Sequence, residues 1–138
     1  MVSDILMNKA AIIERCLARV IEEYSGHEKE LEINYTRQDS IILNLQRACE
    51  ASIDAAMHLV RVRKLGIPQE SRDAFEMLCG AGIIDRHLCD RLMAMVGFRN
   101  IAVHDYRKLN MEIIVSIIEN NLNDFRVFCS VILSSSQA

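Results

Sequence analysis

The sequence is poor in residues that interrupt or turn a chain. Its 138 residues include one proline, five glycines and no tryptophan. An all-β fold needs many turns, and turns use proline and glycine heavily, so this composition argues against such a fold. The residues present are 51% hydrophobic and 25% charged, with a net charge of −3. This balance is typical of a folded domain, and the length favours a single domain over residues 1–138.

Membrane, secretion and metal signals are also missing. The longest uncharged stretch, residues 127–138, is shorter than the roughly 20 residues that a membrane-spanning helix needs. Asp4 and Lys9 interrupt the first apolar stretch, which is untypical of a signal peptide. The five cysteines are odd in number, and none forms a CxxC pair or a zinc-ligand pattern. We expect a cytoplasmic protein with no membrane contact, no metal and no cofactor.

Apolar residues recur at helical spacing along most of the chain, and no segment alternates with a period of two for long enough to predict a strand. Ser3, Asp85 and Asn110 are residues that cap helix N-termini, and Thr36 opens a stretch that resembles a capping box. The predicted helices cover residues 3–24, 36–64, 71–79, 85–103 and 110–133. Short connections favour antiparallel neighbours. The predicted fold is therefore all-α, an antiparallel up-down helical bundle of four long helices and one short helix.

The last predicted helix has an apolar face wider than a single stripe, because Ile113 and Ile117 lie beside the main stripe. A second copy that covers this face is one explanation, since two-fold dimers are the commonest oligomers. Packing of this helix against two sides of its own chain explains the wide face nearly as well. We expect a homodimer with residues 85–133 at its interface.

Charge is unevenly distributed along the chain. Residues 61–108 carry nine basic and six acidic side chains, a net charge of +3, whereas the segments on both sides are negative. A local positive field can hold a phosphate backbone even when the whole protein is acidic. This middle segment is therefore a candidate for contact with nucleic acid.

The most informative stretch covers residues 97–106. Arg99 continues an apolar stripe of the fourth predicted helix, where a guanidinium is costly unless it is paired or borders a cleft. His104 is five residues further on, an offset of roughly 140° on a regular helix. The two side chains converge only if the helix ends near His104 or if a second subunit supplies one of them. Tyr106 points the same way as His104 only if the chain is extended there.

These residue types suit RNA cleavage without a metal. An imidazole can take the proton of the ribose 2′-OH or protonate the leaving 5′-oxygen. A guanidinium can stabilise the charge that builds up on the phosphorus. The alternative is an ordinary capped helix end with a surface histidine, and spacing alone favours that alternative.

The string Arg99-Asn100-Ile101-Ala102-Val103-His104-Asp105-Tyr106 matches the R-x4-H-x-Y signature of the HEPN superfamily (higher eukaryotes and prokaryotes nucleotide-binding). More closely, the chain resembles the HepT-like toxin branch. Residues 39–48, Glu50 with Asp54, and residues 95–98 resemble that branch in the same order. The resemblance covers nearly the whole chain.

The resemblance implies an all-helical homodimer that acts as a ribonuclease toxin in a type VII-like toxin–antitoxin system. It assigns Arg99 and His104 to a composite catalytic cleft at the dimer interface, with Asn100 and Asp105 in supporting positions. It also implies a partner, a minimal nucleotidyltransferase antitoxin. This antitoxin uses ATP to attach AMP to Tyr106, which silences the toxin. The implied substrate is RNA.

A second polar stripe follows the second predicted helix, at Arg47, Glu50, Asp54, His58 and Arg61. A solvated face with ion pairs of about 0.2–0.5 kcal/mol each is the more ordinary interpretation. The more specific interpretation is that this stripe forms a wall of the catalytic cleft. A metal site at Glu50, Asp54 and His58 is the least favoured, because a ribonuclease of this type needs no metal.

Two other functions compete with the ribonuclease. One is a non-catalytic helical module that only binds a minimal nucleotidyltransferase. Such a module has no use for both Arg99 and His104. The other is a plain dimeric bundle without a ligand, which the positive segment 61–108 disfavours.

Overall fold

The computed structural model describes residues 3–135, and this part of the chain is all-helical, with no strand. It confirms the predicted all-α class. Short 3-10 turns occur at Glu28–Glu30 and Tyr106–Lys108. The six α-helices are α1 (Asp4–Tyr24), α2 (Tyr35–Val62), α3 (Ser71–Gly80), α4 (Arg86–His104), α5 (Met111–Asn120) and α6 (Leu122–Ser135).

Three predicted helix caps are confirmed. The Ser3 hydroxyl accepts a hydrogen bond from the Leu6 N–H at 3.3 Å. The Asp85 carboxylate accepts one from the Leu88 N–H at 2.8 Å. The Asn110 side chain accepts one from the Ile113 N–H in the first turn of α5. Each oxygen binds an N–H group that has no partner within its helix, so these residues decide where α1, α4 and α5 begin.

Helix α2 begins near Thr36 as predicted, at Tyr35, but the predicted capping residue is wrong. The cap is Asn34, whose side-chain oxygen accepts a hydrogen bond from the Arg37 N–H at 3.0 Å, so that Thr36 lies inside the first turn. The helix ends at Val62, and Lys64 has a φ of 56°, a left-handed conformation that stops it. The short helix α3 begins at Ser71 as predicted, behind a capping box made by Glu70 and Asp73.

The prediction of one helix over 110–133 is wrong, because this segment forms α5 and α6 with a break at Asn121. Arg91 in α4 stabilises this break. Its Nη2 donates to the Asn120 carbonyl at 2.6 Å, an acceptor that a continuous helix would use for its own ladder. The Asp124 N–H bonds the Asn121 carbonyl instead, in a 3-10 arrangement.

Contacts at both ends of α1 and α2 show that these two helices run antiparallel. Lys9 at the start of α1 lies 3.2 Å from Asp54 near the end of α2, and Glu23 at the other end of α1 lies 3.5 Å from Arg37. Helix α6 also packs on α1, where the Cys129 thiol donates to the Ala10 carbonyl at 3.8 Å. Helices α1, α2, α4 and α6 thus form a four-helix bundle, and α3 packs against α2 and α4.

The wide apolar face of the predicted last helix is only partly used inside the chain. Ile117 is 7% exposed and packs in the core, whereas Ile113 remains 43% exposed. Packing on two sides within the chain therefore accounts for Ile117, and Ile113 is left for another surface. Within residues 3–135, no helix combines the length and the apolar character that crossing a bilayer requires.

Candidate active site at the end of helix α4

The signature residues lie on the last two turns of α4 and on the 3-10 turn that follows. Helix α4 ends at His104, and Asp105 breaks the helical path with φ −151° and ψ 61°, although its N–H still bonds the Ile101 carbonyl at 2.8 Å. Tyr106 then opens the 3-10 turn. The helix thus ends at the histidine, which is one of the two conditions under which Arg99 and His104 can converge.

Arg99 is half-buried on the side of α4 that faces α3. Its Nη2 donates to the Ser71 hydroxyl at 3.3 Å, while its Nε is buried and has no hydrogen-bond partner. No carboxylate of residues 3–135 lies within ion-pair distance of this guanidinium. An unpaired, partly desolvated cation favours an anionic ligand, because neighbouring protein groups do not compensate its charge.

Cys49 lies on the α2 side of the same guanidinium. Burial raises the pKa of the Cys49 thiol, and the positive charge of Arg99 offsets part of that rise. The thiol donates weakly to the Met95 carbonyl, with Sγ and oxygen 3.6 Å apart. Cys49 is therefore a neutral packing residue behind Arg99, not a second reactive group.

The first residues of α3 hold α4 at this point. Arg72 lies across Gly97, and its Nε donates to the Met93 carbonyl at 3.2 Å. A Cβ atom at Gly97 would lie 2.8 Å from Arg72 Nη2, so the absence of a side chain lets the guanidinium cross the helix. The sequence predicts Ser71 only as a helix start and indicates no role for Arg72. Gly97, inside the signature region, was the available signal for such a close approach.

His104 is exposed at the C-terminal end of α4. It lies five residues, or more than one helical turn, beyond Arg99. Asn100 is half-buried next to Arg99. The Asp105 carboxylate pairs with Lys108, whose Nζ is 3.2 Å away, so it neutralises a neighbouring cation. Arg99 and His104 therefore share one helix end, but no hydrogen bond joins them within the described chain.

Tyr106 is 46% exposed, and its hydroxyl donates a hydrogen bond to the carboxylate of Asp39 in α2. Partial burial and this bond to Asp39 raise the pKa of Tyr106 to about 12. The phenol is therefore neutral at physiological pH. In the sequence, Asp39 stands out only as part of a segment that resembles the HepT-like branch, because nothing there links two residues 67 positions apart.

The polar stripe of α2 borders a groove between α1 and α2 with a volume of about 490 Å³. Asp54 pairs with Lys9 of α1, and Glu50 accepts a hydrogen bond from Gln46 at 3.1 Å. Arg47 lines the same groove. These partners belong to α1 and α2, and the role of this stripe as a wall of the catalytic cleft stays a prediction.

His58 continues the stripe beyond the groove, where it bonds Arg61 with 3.0 Å between Nδ1 and Nη2. Partial burial and the Arg61 charge lower the pKa of His58, which favours its neutral form. In the part of the chain that the structure describes, no group of three or more histidine, cysteine and acidic side chains could hold a metal ion.

An all-helical bundle with an R-x4-H-x-Y segment at a helix end defines the class of this protein. The chain belongs to the HepT-like ribonuclease family, since the family model described as "Ribonuclease HepT-like" matches residues 13–132.

Individual relatives agree with this assignment. The chain is 49% identical over 130 residues to the mRNA nuclease HepT of Shewanella oneidensis, covering 94% of this chain and 97% of that protein. A solved structure of a tri-AMPylated Shewanella oneidensis HEPN toxin in complex with an MNT antitoxin is 48% identical, with a TM-score of 0.91, over 96% of this chain and 98% of that chain. A toxin–antitoxin complex with AMP-PNP matches with the same identity and TM-score, over 96% and 99% of the two chains.

Proposed function

We propose that this chain is the toxin of a two-component toxin–antitoxin system, a metal-independent endoribonuclease that cuts cytoplasmic RNA. Arg99 and His104 carry the reaction in a cleft shared by two copies of the chain. A nucleotidyltransferase antitoxin silences it by attaching AMP to Tyr106. Membership in the HepT-like family and the relatives that are an mRNA nuclease and an AMPylated HEPN toxin support this proposal.

One observation carries the catalytic part, namely the unpaired guanidinium of Arg99 on the helix that ends at His104. A module that only binds a partner protein gains nothing from a desolvated cation without a counter-charge, since such a group costs stability. A phosphate group supplies the missing charge and accepts bidentate hydrogen bonds from a guanidinium. Arg72 of α3 crosses α4 at Gly97, two residues before Arg99, and adds a second cation to this part of the surface.

Two copies are needed because one chain does not bring Arg99 and His104 into contact. Ile101 and Val103 lie between them on α4 and are 39% and 46% exposed. Burying these apolar side chains against a partner copy is favourable. A two-fold interface along this end of α4 then places the histidine of one copy near the arginine of the other.

In this cleft the ribose 2′-oxygen attacks the adjacent phosphorus, and the bond to the 5′-oxygen breaks. His104 either takes the proton of the 2′-OH or gives a proton to the leaving 5′-oxygen, and water carries out the other proton transfer. Arg99 binds the non-bridging oxygens, whose negative charge grows in the transition state. The products are a 2′,3′-cyclic phosphate and a free 5′-hydroxyl, and no step requires a metal.

Mixing two inactive variants tests the composite cleft. Arg99→Ala and His104→Ala are each expected to be inactive alone. After the chains exchange, each mixed dimer has one cleft with both residues and one with neither. Random pairing makes half of the dimers mixed, so the mixture should recover roughly a quarter of the parent's RNA cleavage. No recovery in a mixture whose chains have exchanged would contradict a shared cleft, as would a monomeric parent in sedimentation at micromolar concentration.

A further inference from the structure

The hydrogen bond between Tyr106 and Asp39 joins the 3-10 turn after α4 to the N-terminal part of α2. Tyr106 is the proposed acceptor of AMP, whereas Asp39 has no role in the proposed function. The turn is internally ordered, because the Lys108 N–H bonds the Asp105 carbonyl at 2.9 Å and the Leu109 N–H bonds the Tyr106 carbonyl at 3.1 Å. The start of α2 is fixed by its Asn34 cap. The two oxygens therefore meet between two anchored segments.

A phenol must lose its proton to become a good nucleophile. Tyr106 holds its proton more firmly than a free tyrosine, since its pKa is raised to about 12. Attack on the α-phosphorus of ATP therefore requires a base within hydrogen-bond distance of the phenolic oxygen. The Asp39 carboxylate occupies that position.

The local charges leave Asp39 available for this role. Asp105, the acidic residue next to Tyr106 in sequence, is paired with Lys108 at 3.2 Å. No cation of residues 3–135 forms an ion pair with Asp39. Asp39 is exposed, and the tyrosine is half-exposed, so a bound partner can bring ATP to the oxygen without unfolding either segment.

We propose that Asp39 is the general base for the adenylylation of Tyr106. The carboxylate orients the phenolic oxygen and accepts its proton while the new bond from oxygen to the α-phosphorus of ATP forms. The bond from that phosphorus to the bridging oxygen of the β-phosphate breaks, and pyrophosphate leaves. The toxin thus supplies part of the chemistry that silences it. This inference rests on the proposed function, because it concerns the same modified tyrosine.

The test measures the initial rate of AMP transfer from radiolabelled ATP by the cognate nucleotidyltransferase antitoxin. In Asp39→Asn, the amide oxygen can still accept the phenolic hydrogen bond but cannot take the proton. We expect this variant to be labelled roughly 100-fold more slowly than the parent. Asp39→Glu restores a carboxylate and should recover most of the rate. Glu112→Gln, which removes an exposed carboxylate from α5, is the charge-matched control and should be labelled like the parent.

The pH profile separates proton transfer from simple positioning. The ratio of the parent rate to the Asp39→Asn rate should fall as pH rises from about 7 to about 9, because hydroxide increasingly replaces the missing base. A constant ratio would overturn the base role. Equal labelling of Asp39→Asn and parent would also overturn it, as would an Asp39→Glu variant as slow as Asp39→Asn. Thermal unfolding of each variant checks that it is folded.

The outcomes distinguish this inference from the proposed function. If the parent is labelled and Tyr106→Phe is not, the modified residue is correct and the Asp39 variants decide the inference alone. If the parent takes up no AMP, the proposed silencing is wrong and the inference is overturned with it.

Discussion

Arg91 and Asp124 form a partly buried ion pair that joins α4 to α6. Arg91 Nε lies 2.9 and 2.8 Å from the two carboxylate oxygens, and Arg91 Nη2 donates to the Asn120 carbonyl at 2.6 Å. Asn121 Nδ2 adds a hydrogen bond to the same carboxylate at 3.2 Å. Helix α4 is thereby attached to both sides of the break between α5 and α6.

Replacing Arg91 should destabilise the fold. Arg91→Ala leaves Asp124, whose side chain is 12% exposed, without its counter-charge. We expect a loss of about 2–3 kcal/mol in the free energy of unfolding, measured by urea denaturation. Arg86→Ala is the control, since its partner Glu76 is about half-exposed, and it should cost much less stability than Arg91→Ala. Equal losses in the two variants would contradict a structural role for the Arg91 pair.

Removing either of the two side chains that we propose to be catalytic, Arg99 or His104, should abolish RNA cleavage. His104→Ala loses the proton-transfer group and Arg99→Ala loses the transition-state cation, so each variant should be folded, inactive and unable to arrest growth. His87→Ala, an exposed histidine in the first turn of α4, should retain parent activity. Cleavage is measured on RNA with and without EDTA, which should not inhibit. Products that all end in a 3′-hydroxyl would exclude attack by the 2′-oxygen.

Tyr106→Phe should separate RNA cleavage from its silencing by the antitoxin. The variant keeps Arg99 and His104, so it should still cut RNA, but it should resist silencing by the antitoxin with ATP. Mass spectrometry should show added AMP on the parent and none on this variant. Tyr35→Phe, which changes a tyrosine that is 72% exposed, should be labelled and silenced like the parent. A labelled Tyr106→Phe chain would assign the modification to another residue.

The contact with Asp39 should be visible in the titration of the phenol. In a chain with Tyr24→Phe and Tyr35→Phe, Tyr106 is the only remaining tyrosine. Its phenolate absorbance should appear with a pKa of about 12. Asp39→Asn should lower that pKa, although not to the value of a free tyrosine, because partial burial also raises it.

The same shift affects stability at high pH. The folded chain binds the Tyr106 proton more tightly than the unfolded chain, whose phenol ionises near pH 10. The stabilisation is complete below about pH 10 and is lost as pH rises through about 12, so the free energy of unfolding should decrease over this range. Tyr106→Phe should make that decrease smaller. An unchanged slope would contradict the raised pKa.

The sequence by itself determined the helical class and most helix ends. Ser3, Asp85 and Asn110 cap their helices locally, through oxygen atoms that bind N–H groups three residues away, so no tertiary information was needed. The R-x4-H-x-Y string likewise indicated the HepT-like family, because its residues are close together in sequence. Periodicity predicted the core face of α4, where Leu88, Leu92, Met95 and Val96 are buried as expected.

Only the tertiary structure decided the features that depend on distant residues. The break at Asn121 follows from Arg91, which lies 29 residues before the carbonyl it binds, whereas periodicity alone continues through the break. Arg99 meets Ser71 across 28 residues, and Tyr106 meets Asp39 across 67. Local propensity is a property of neighbours along the chain, but ion pairs and hydrogen bonds between helices depend on how the helices pack. The folded bundle therefore determined which side chains surround the signature residues.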